Sequence, residues 1–209
     1  MPNQTTIVKT NPTRGSIKTV ELNAVTFQQL WDNYPYGDPY DNSAYANQCA
    51  IRLSVTLHRV GIEMKSFSEK LIKPQSGQKQ IGRILLEGKP TATRADEMGE
   101  WLKLQPFAGL PMAEDITGHD WESKVKSRTG IIQFSRYWAR DGESRENASG
   151  GHIDLWNGSR MTISGFWDGL ATVGRYMGFQ SFRPRAAVLS LLSYSDLRDA
   201  KSILFWVIK

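Results

Sequence analysis

The chain has 209 residues, 40% of them apolar and 11% aromatic, which is enough for one domain with a packed core and too apolar for disorder. Its net charge of +5 suits an anionic partner such as a cell-wall polymer, a nucleic acid or an acidic protein. No zinc finger, basic helix or aromatic-interleaved basic motif accompanies that charge, so nucleic acid is not expected as a partner.

Residues 1–16 are polar, rich in Thr and Asn, and carry no apolar signal core; they read as a mobile N-terminal tail. Folding in the cytoplasm, or exit by a route that reads no such signal, is therefore expected. Residues 25–34 predict a short helix, with Phe27, Leu30 and Trp31 at helical spacing. Residues 34–40, with two prolines and a glycine, predict a loop. From 47 to 61, Ala50, Leu53, Leu57 and Val60 recur at helical spacing, while Leu53, Val55 and Leu57 alternate as in a strand. Asn47 as N-cap and Gly61 as the residue after the end favour the helix. Residues 93–104 predict a second helix, with Thr93 and Asp96 as its capping pair.

Strands are predicted at 130–134 and 152–156, separated by a polar Gly- and Ser-rich loop over 140–151. Asn157-Gly158 is a hairpin signal, with 161–165 returning as the partner strand. Residues 169–177 look helical, and Ile203 to Ile208 form a buried strand, far too short to span a bilayer. Residues 62–90 and 178–194 show no functional pattern and read as surface elaboration. Helices first, then strands joined by tight turns, give an α+β domain with helices packed on an antiparallel sheet.

The chain has a single cysteine, Cys49, which excludes an internal disulfide and a Cys-rich metal site. A lone cysteine is a buried hydrophobe or a nucleophile. Near the start of a helix the unpaired N–H groups and the positive end of the dipole stabilise a thiolate, and the same groups can hold an oxyanion. Of the three histidines, His58 lies nine positions along the same helix and faces away from the thiol. His119 sits in a polar loop and reads as solvated. His152 opens a strand beside Ser149-Gly150-Gly151, where small residues leave room for a substrate backbone. Asp154 shares a face with His152, because strand positions i and i+2 point the same way. A cross-strand partner for His152 depends on register: a two-residue turn places Ile163 opposite it and a three-residue turn places Ser164 there.

The blocks Asn47-Gln48-Cys49-Ala50-Ile51-Arg52-Leu53-Ser54 and Gly151-His152-Ile153-Asp154-Leu155-Trp156-Asn157-Gly158 resemble the fourth family of type VI secretion amidase effectors. Gly130-Ile131-Ile132-Gln133-Phe134, Ser195-Asp196-Leu197 and Ile203-Leu204-Phe205-Trp206 also resemble that family. The resemblance implies a papain-like cysteine peptidase fold over 17–209, related to the NlpC-type murein endopeptidases. It implies cleavage of the D-glutamate–meso-diaminopimelate amide of the peptidoglycan stem peptide, with Cys49 as nucleophile and His152 as base and with no metal or cofactor. It also implies delivery by a secretion-machine carrier into a competitor's periplasm, without membrane insertion, and a cognate immunity protein that protects the producer. The family is expected to carry an aspartate on the strand after the histidine strand. Residues Met161-Thr162-Ile163-Ser164-Gly165 hold no carboxylate and the next is Asp168, which leaves Asp154, Ser164 or a Cys–His dyad alone. Other thiol toxins on the same fold, acting on proteins, and a non-catalytic wall-binding module remain alternatives.

Overall fold

The structure, a computed structural model, describes residues 3–9, 15, 17–45, 47–138, 149–162, 197 and 200–209. The chain opens with strands β1 (Asn3–Lys9) and β2 (Ile17–Asn23), paired antiparallel with Asn3 opposite Asn23 and Lys9 opposite Ile17. This corrects the expectation of a tail over residues 1–16. Thr5, Thr6, Ile7 and Val8 are β-branched, as are Ile17, Thr19 and Val20, and that composition favours extended pairing over a coil.

Helix α1 (Phe27–Asp32) starts where expected, held by a capping box in which Thr26 and Gln29 satisfy each other's backbone N–H groups. Helix α2 (Cys49–Arg59) ends at Val60, with Gly61 beyond it at φ +88. Glycine adopts that left-handed conformation without a Cβ penalty. Strands β3 (Arg83–Leu86) and β4 (Lys89–Ala92) form a hairpin over Glu87 and Gly88, both with positive φ. That turn geometry matches the twist of the strands. Helix α3 (Ala95–Lys103) follows, with Arg94 at the N-cap and no side-chain cap bond. The expected Thr93–Asp96 capping pair does not form, because Asp96 is occupied instead by Gln133, whose Nε2 donates to its Oδ1 at 3.1 Å.

Strand β5 (Glu114–Asp115) and helix α4 (Trp121–Val125) lead into the main sheet strands β6 (Thr129–Trp138), β7 (Gly150–Asn157), β8 (Arg160–Met161) and β9 (Ser202–Val207). The order across this five-stranded sheet is β5-β9-β6-β7-β8, antiparallel throughout. The α+β class expected from the sequence is therefore the architecture observed. The predicted 169–177 helix, together with Ile163, Ser164 and Asp168, lies outside the described residues.

Both faces of the sheet are buried, which explains the unbroken apolar run of β9. On one face Ile131, Ile153, Leu155 and Trp206 meet Leu53 and Leu57 of α2 and Met98, Trp101 and Leu102 of α3. On the other, Ile132, Phe134, Trp156, Ile203 and Phe205 meet Trp121 and Val125 of α4. Trp121 lies edge-on to Phe134 at 4.9 Å and to Trp156 at 5.5 Å between ring centres. Met64, Phe67, Ile72 and Ile81 are buried in the first of these layers. The stretch 62–90 is thus partly core, not surface elaboration; its apolar residues are too widely spaced to show a period.

Gly99 interrupts the middle of α3, where glycine costs roughly 1 kcal/mol relative to alanine. Its place is fixed by Gln133, whose side chain crosses from β6: a Cβ at position 99 would lie 1.9 Å from Gln133 Oε1. Gln133 Nε2 is already committed to Ala95 O, Asp96 and Ser135, so the amide has no room to withdraw. Gly99→Ala should therefore destabilise the fold by about 1–3 kcal/mol despite alanine's better helix propensity, measured by thermal or urea unfolding. Unchanged or raised stability would refute this account of Gly99.

Candidate active site

Cys49 is the first residue of α2, and the N-cap position belongs to Gln48, not to Asn47. The reason lies in what Gln48 does with its side chain. Its Nε2 donates to Tyr40 O at 2.6 Å and its Oε1 accepts from Tyr40 N–H at 3.1 Å, so the amide is spent on the preceding loop and makes no cap bond. One turn along, Arg52 Nε donates to Gly37 O at 3.1 Å and its Nη2 pairs with Asp38 Oδ1 at 3.0 Å. The loop over 34–40 is tied to the first turn of α2 by both residues. The first backbone bond of the helix runs from Arg52 N–H to Gln48 O at 2.8 Å, which leaves the N–H groups of Cys49, Ala50 and Ile51 ahead of the ladder.

The partner residues come from β7. His152 stands opposite Phe134 of β6, and Asp154 opposite Ile132. On its outer side β7 pairs with β8 only at Trp156–Met161 and Asn157–Arg160 among the described residues. Beyond that point the outward amides of β7 turn to side chains. Leu155 N–H donates to Asp154 Oδ1 at 2.7 Å, and Ile153 N–H is in hydrogen-bonding contact with the sulfur of Cys49.

His152 joins the two ends of this arrangement. Its Nε2 lies 3.4 Å from Asp154 Oδ2, and its ring is in hydrogen-bonding contact with Cys49. With Nε2 directed at the carboxylate, Nδ1 is the ring nitrogen left to the thiol. Asp154 is only 5% exposed, so it is a buried carboxylate and not a surface strand residue. Its Oδ1 also accepts from the hydroxyl of Thr162. Tyr34, at the start of the loop, has its hydroxyl in hydrogen-bonding contact with Thr162; burial, followed by the Asp154 charge, pushes its pKa well up, so it stays protonated.

Burial pushes the Cys49 thiol up, but the hydrogen bond and charge of His152, the Ile153 N–H and the Arg52 charge together outweigh it, and its pKa falls below the ordinary value. Burial pushes the His152 imidazole down, but the bonds to Asp154 and Cys49 win and raise it to about 9. The two shifts have opposite signs, and each acts in favour of the thiolate–imidazolium pair over the neutral pair. Such a pair is a ready nucleophile beside a ready acid.

The structure thus brings together Cys49, His152 and Asp154. His58 Nε2 contacts Pro90 O at 3.0 Å, and His119 is exposed, as their sequence contexts suggested. Two local expectations are corrected. The hairpin turn is Gly158-Ser159, one position later than Asn157-Gly158, because Gly158 is held in both directions: its N–H donates to Arg128 O and its carbonyl accepts from Ser127 N–H, each at 2.8 Å. The two pairings expected for His152, with Ile163 or Ser164, lie outside the described residues. Gly151 leaves no free space for a substrate either: a Cβ there would lie 3.0 Å from Asp96 Oδ1 and 3.1 Å from Phe134 O. Sequence reasoning missed Gln48, Arg52, Tyr34 and Thr162; the polar Gln48 immediately before the cysteine was the one available sign. Among the described residues no group of His, Cys, Asp and Glu gathers as a metal site, and no helix is long and apolar enough to cross a membrane.

No curated protein matches the chain. Several solved structures are similar to it. A Tae4–Tai4 effector–immunity complex from Salmonella Typhimurium is 20% identical, with a TM-score of 0.43 over 66% of this chain and 86% of that one. The effector Tae4 from Enterobacter cloacae is 16% identical, with a TM-score of 0.47 over 88% and 96%. A second Tae4/Tai4 structure from Salmonella typhimurium is 16% identical, with a TM-score of 0.48 over 90% and 100%. The family model for type VI secretion system (T6SS) amidase effector protein 4 matches residues 45–206, a span that holds Cys49, His152 and Asp154, and the chain belongs to that family, Tae4.

Proposed function

We propose that this protein is an antibacterial peptidoglycan DL-endopeptidase that hydrolyses the γ-D-glutamyl–meso-diaminopimelate bond through a Cys49–His152 thioester mechanism, with Asp154 orienting His152. The observation that carries the reading is the buried thiol at the start of α2 in contact with an imidazole backed by a buried carboxylate. Family membership supplies the substrate class.

The Cys49 thiolate attacks the γ-carbonyl carbon, and the N–H groups ahead of the ladder at the start of α2 hold the oxyanion, each donor worth about 3 kcal/mol in the transition state. The His152 imidazolium gives its proton to the departing amine of diaminopimelate as the C–N bond breaks, leaving a thioester. Neutral His152 then takes a proton from water, the hydroxide attacks the thioester, and the thiolate leaves. The products are the γ-carboxylate of D-glutamate and the free amine, and the ion pair is restored. No step calls on a metal or cofactor. In this reading the protein is made in the producer's cytoplasm, carried by the secretion machine into the target's periplasm, and neutralised in the producer by an immunity protein.

Digestion of diaminopimelate-type peptidoglycan, with products identified by mass, tests the reaction. Wild type should release stems cut after D-glutamate, and Cys49→Ala should lose activity by on the order of 1,000-fold or more. Equal cutting by both proteins, or cutting by neither on sacculi or free muropeptides, overturns the proposal and points to a protein substrate or a binding role.

The pH dependence tests Asp154. Activity requires protonated His152, so it should fall as pH rises through about 9. Asp154→Asn removes the largest influence raising that pKa, and the alkaline limb should move down towards the ordinary histidine range near ~6.5. The maximal rate should drop by about tenfold or more. A limb that stays near its wild-type position argues against Asp154 as the orienting group.

A further inference from the structure

Asp154 has two carboxylate oxygens with separate tasks. Oδ2 faces His152 Nε2 at 3.4 Å, while Oδ1 takes the Leu155 N–H at 2.7 Å and the Thr162 hydroxyl. The Leu155 bond comes from the adjacent residue, so it restrains the carboxylate only against its own strand. Thr162 lies just past β8, across the hairpin, so its hydroxyl is the contact that ties Asp154 to a second segment of chain. Thr162 is 7% exposed and its single proton goes to Asp154, so Tyr34 serves as the donor to Thr162. A chain of contacts runs Tyr34, Thr162, Asp154, His152, Cys49, from the loop before α2 across to the thiol.

We propose that Thr162 is a positioning residue: its hydroxyl, backed by Tyr34, fixes the Asp154 carboxylate so that one oxygen remains aimed at His152. The proposal rests on the reading of Cys49, His152 and Asp154 given above. The charged and titratable groups facing the pair, among the described residues, are Cys49 and Arg52 from α2, Asp154 from β7 and Tyr34 from the loop. Thr162 carries no charge, and its hydroxyl meets the site at Asp154.

The test compares Thr162→Val, which keeps the shape and removes the hydroxyl, with Thr162→Ser, which keeps the hydroxyl, and with Tyr34→Phe. Two readouts are needed: the pH profile of Cys49 alkylation by iodoacetamide, which requires no substrate, and the pH profile of muropeptide hydrolysis. The valine variant should lower the maximal rate by about 10- to 100-fold, the scale expected when a catalytic group is misplaced by a fraction of an ångström to ~1 Å. Its alkaline limb should shift below the wild-type position, with KM little changed. The serine variant should restore both limb and rate, and Tyr34→Phe should give a smaller shift in the valine direction. A valine variant that folds with an unchanged limb and rate overturns the proposal, as does a serine variant that fails as badly as valine, since that would mark a packing role. If wild-type Cys49 itself alkylates like an ordinary thiol, the reading of the catalytic pair fails as well; a pair-like wild-type profile with an unaffected valine variant sinks the Thr162 proposal alone.

Discussion

Everything at the site depends on holding a thiol, an imidazole and a carboxylate together out of bulk water, where the proposed mechanism needs a thiolate–imidazolium pair. Removing an ion from water costs several kcal/mol unless other groups compensate. Cys49 is 8% exposed and Asp154 5%, so compensation must come from the protein. Cys49 receives it from the His152 ring, the Ile153 N–H and the Arg52 charge. Asp154 receives it from His152, the Leu155 N–H and Thr162. Each buried charge is met from more than one chain segment, so the pair survives only with α2, β7 and the residues after β8 all in place.

The sheet edge makes that possible. An edge strand presents a row of unpaired amides, normally a liability that proteins cover or blunt. Here the described part of β8 is two residues long, and the outward amides of β7 beyond it are given to a sulfur and a carboxylate. Those amides thereby join the lining of the site. α2 brings its N-terminal residue to that edge, and Gln48 and Arg52 anchor the same turn to the loop over 34–40. Tyr34 at the start of the loop then reaches Thr162. Among the described residues the site is therefore assembled from three local devices: a helix start, the outer edge of β7 and a clamped loop.

Cys49, His152 and Asp154, which the fold brings together, could be singled out in the sequence because they obey local rules. A cysteine at a helix start and a His-x-Asp pair on one strand face depend only on period and on neighbours in the chain. What escaped was decided by partners far away in the chain. Asn47 looked like the N-cap, but the boundary was set by Gln48 bonding Tyr40. Thr93 and Asp96 looked like a cap, but Asp96 is held by Gln133, 37 positions on. The hairpin shifted by one residue because Gly158 docks on Ser127 and Arg128. The strand pattern of β1 is present in its β-branched residues, yet a polar, Asn-rich setting concealed it.

The family resemblance called for an aspartate on the strand after the histidine strand, and this chain has none among residues 161–165. An aspartate two positions along the histidine's own strand is a less direct partner, and the 3.4 Å separation is longer than the ~2.8 Å of a strong charge-assisted bond. Direction suffers more than attraction. Coulomb energy falls only as the inverse of distance, so ~80% of the attraction at 2.8 Å remains, whereas hydrogen-bond alignment weakens steeply. Within the proposed mechanism the carboxylate's main task is then to hold charge on His152, and its aim must be supplied from outside. Thr162 comes from the segment where the family's carboxylate was expected, and its hydroxyl meets Asp154. The two segments divide the work, one giving the negative charge and the other fixing where it points. A thiol enzyme can accept that division more readily than a serine enzyme, because its nucleophile is already ionised by the histidine before substrate arrives.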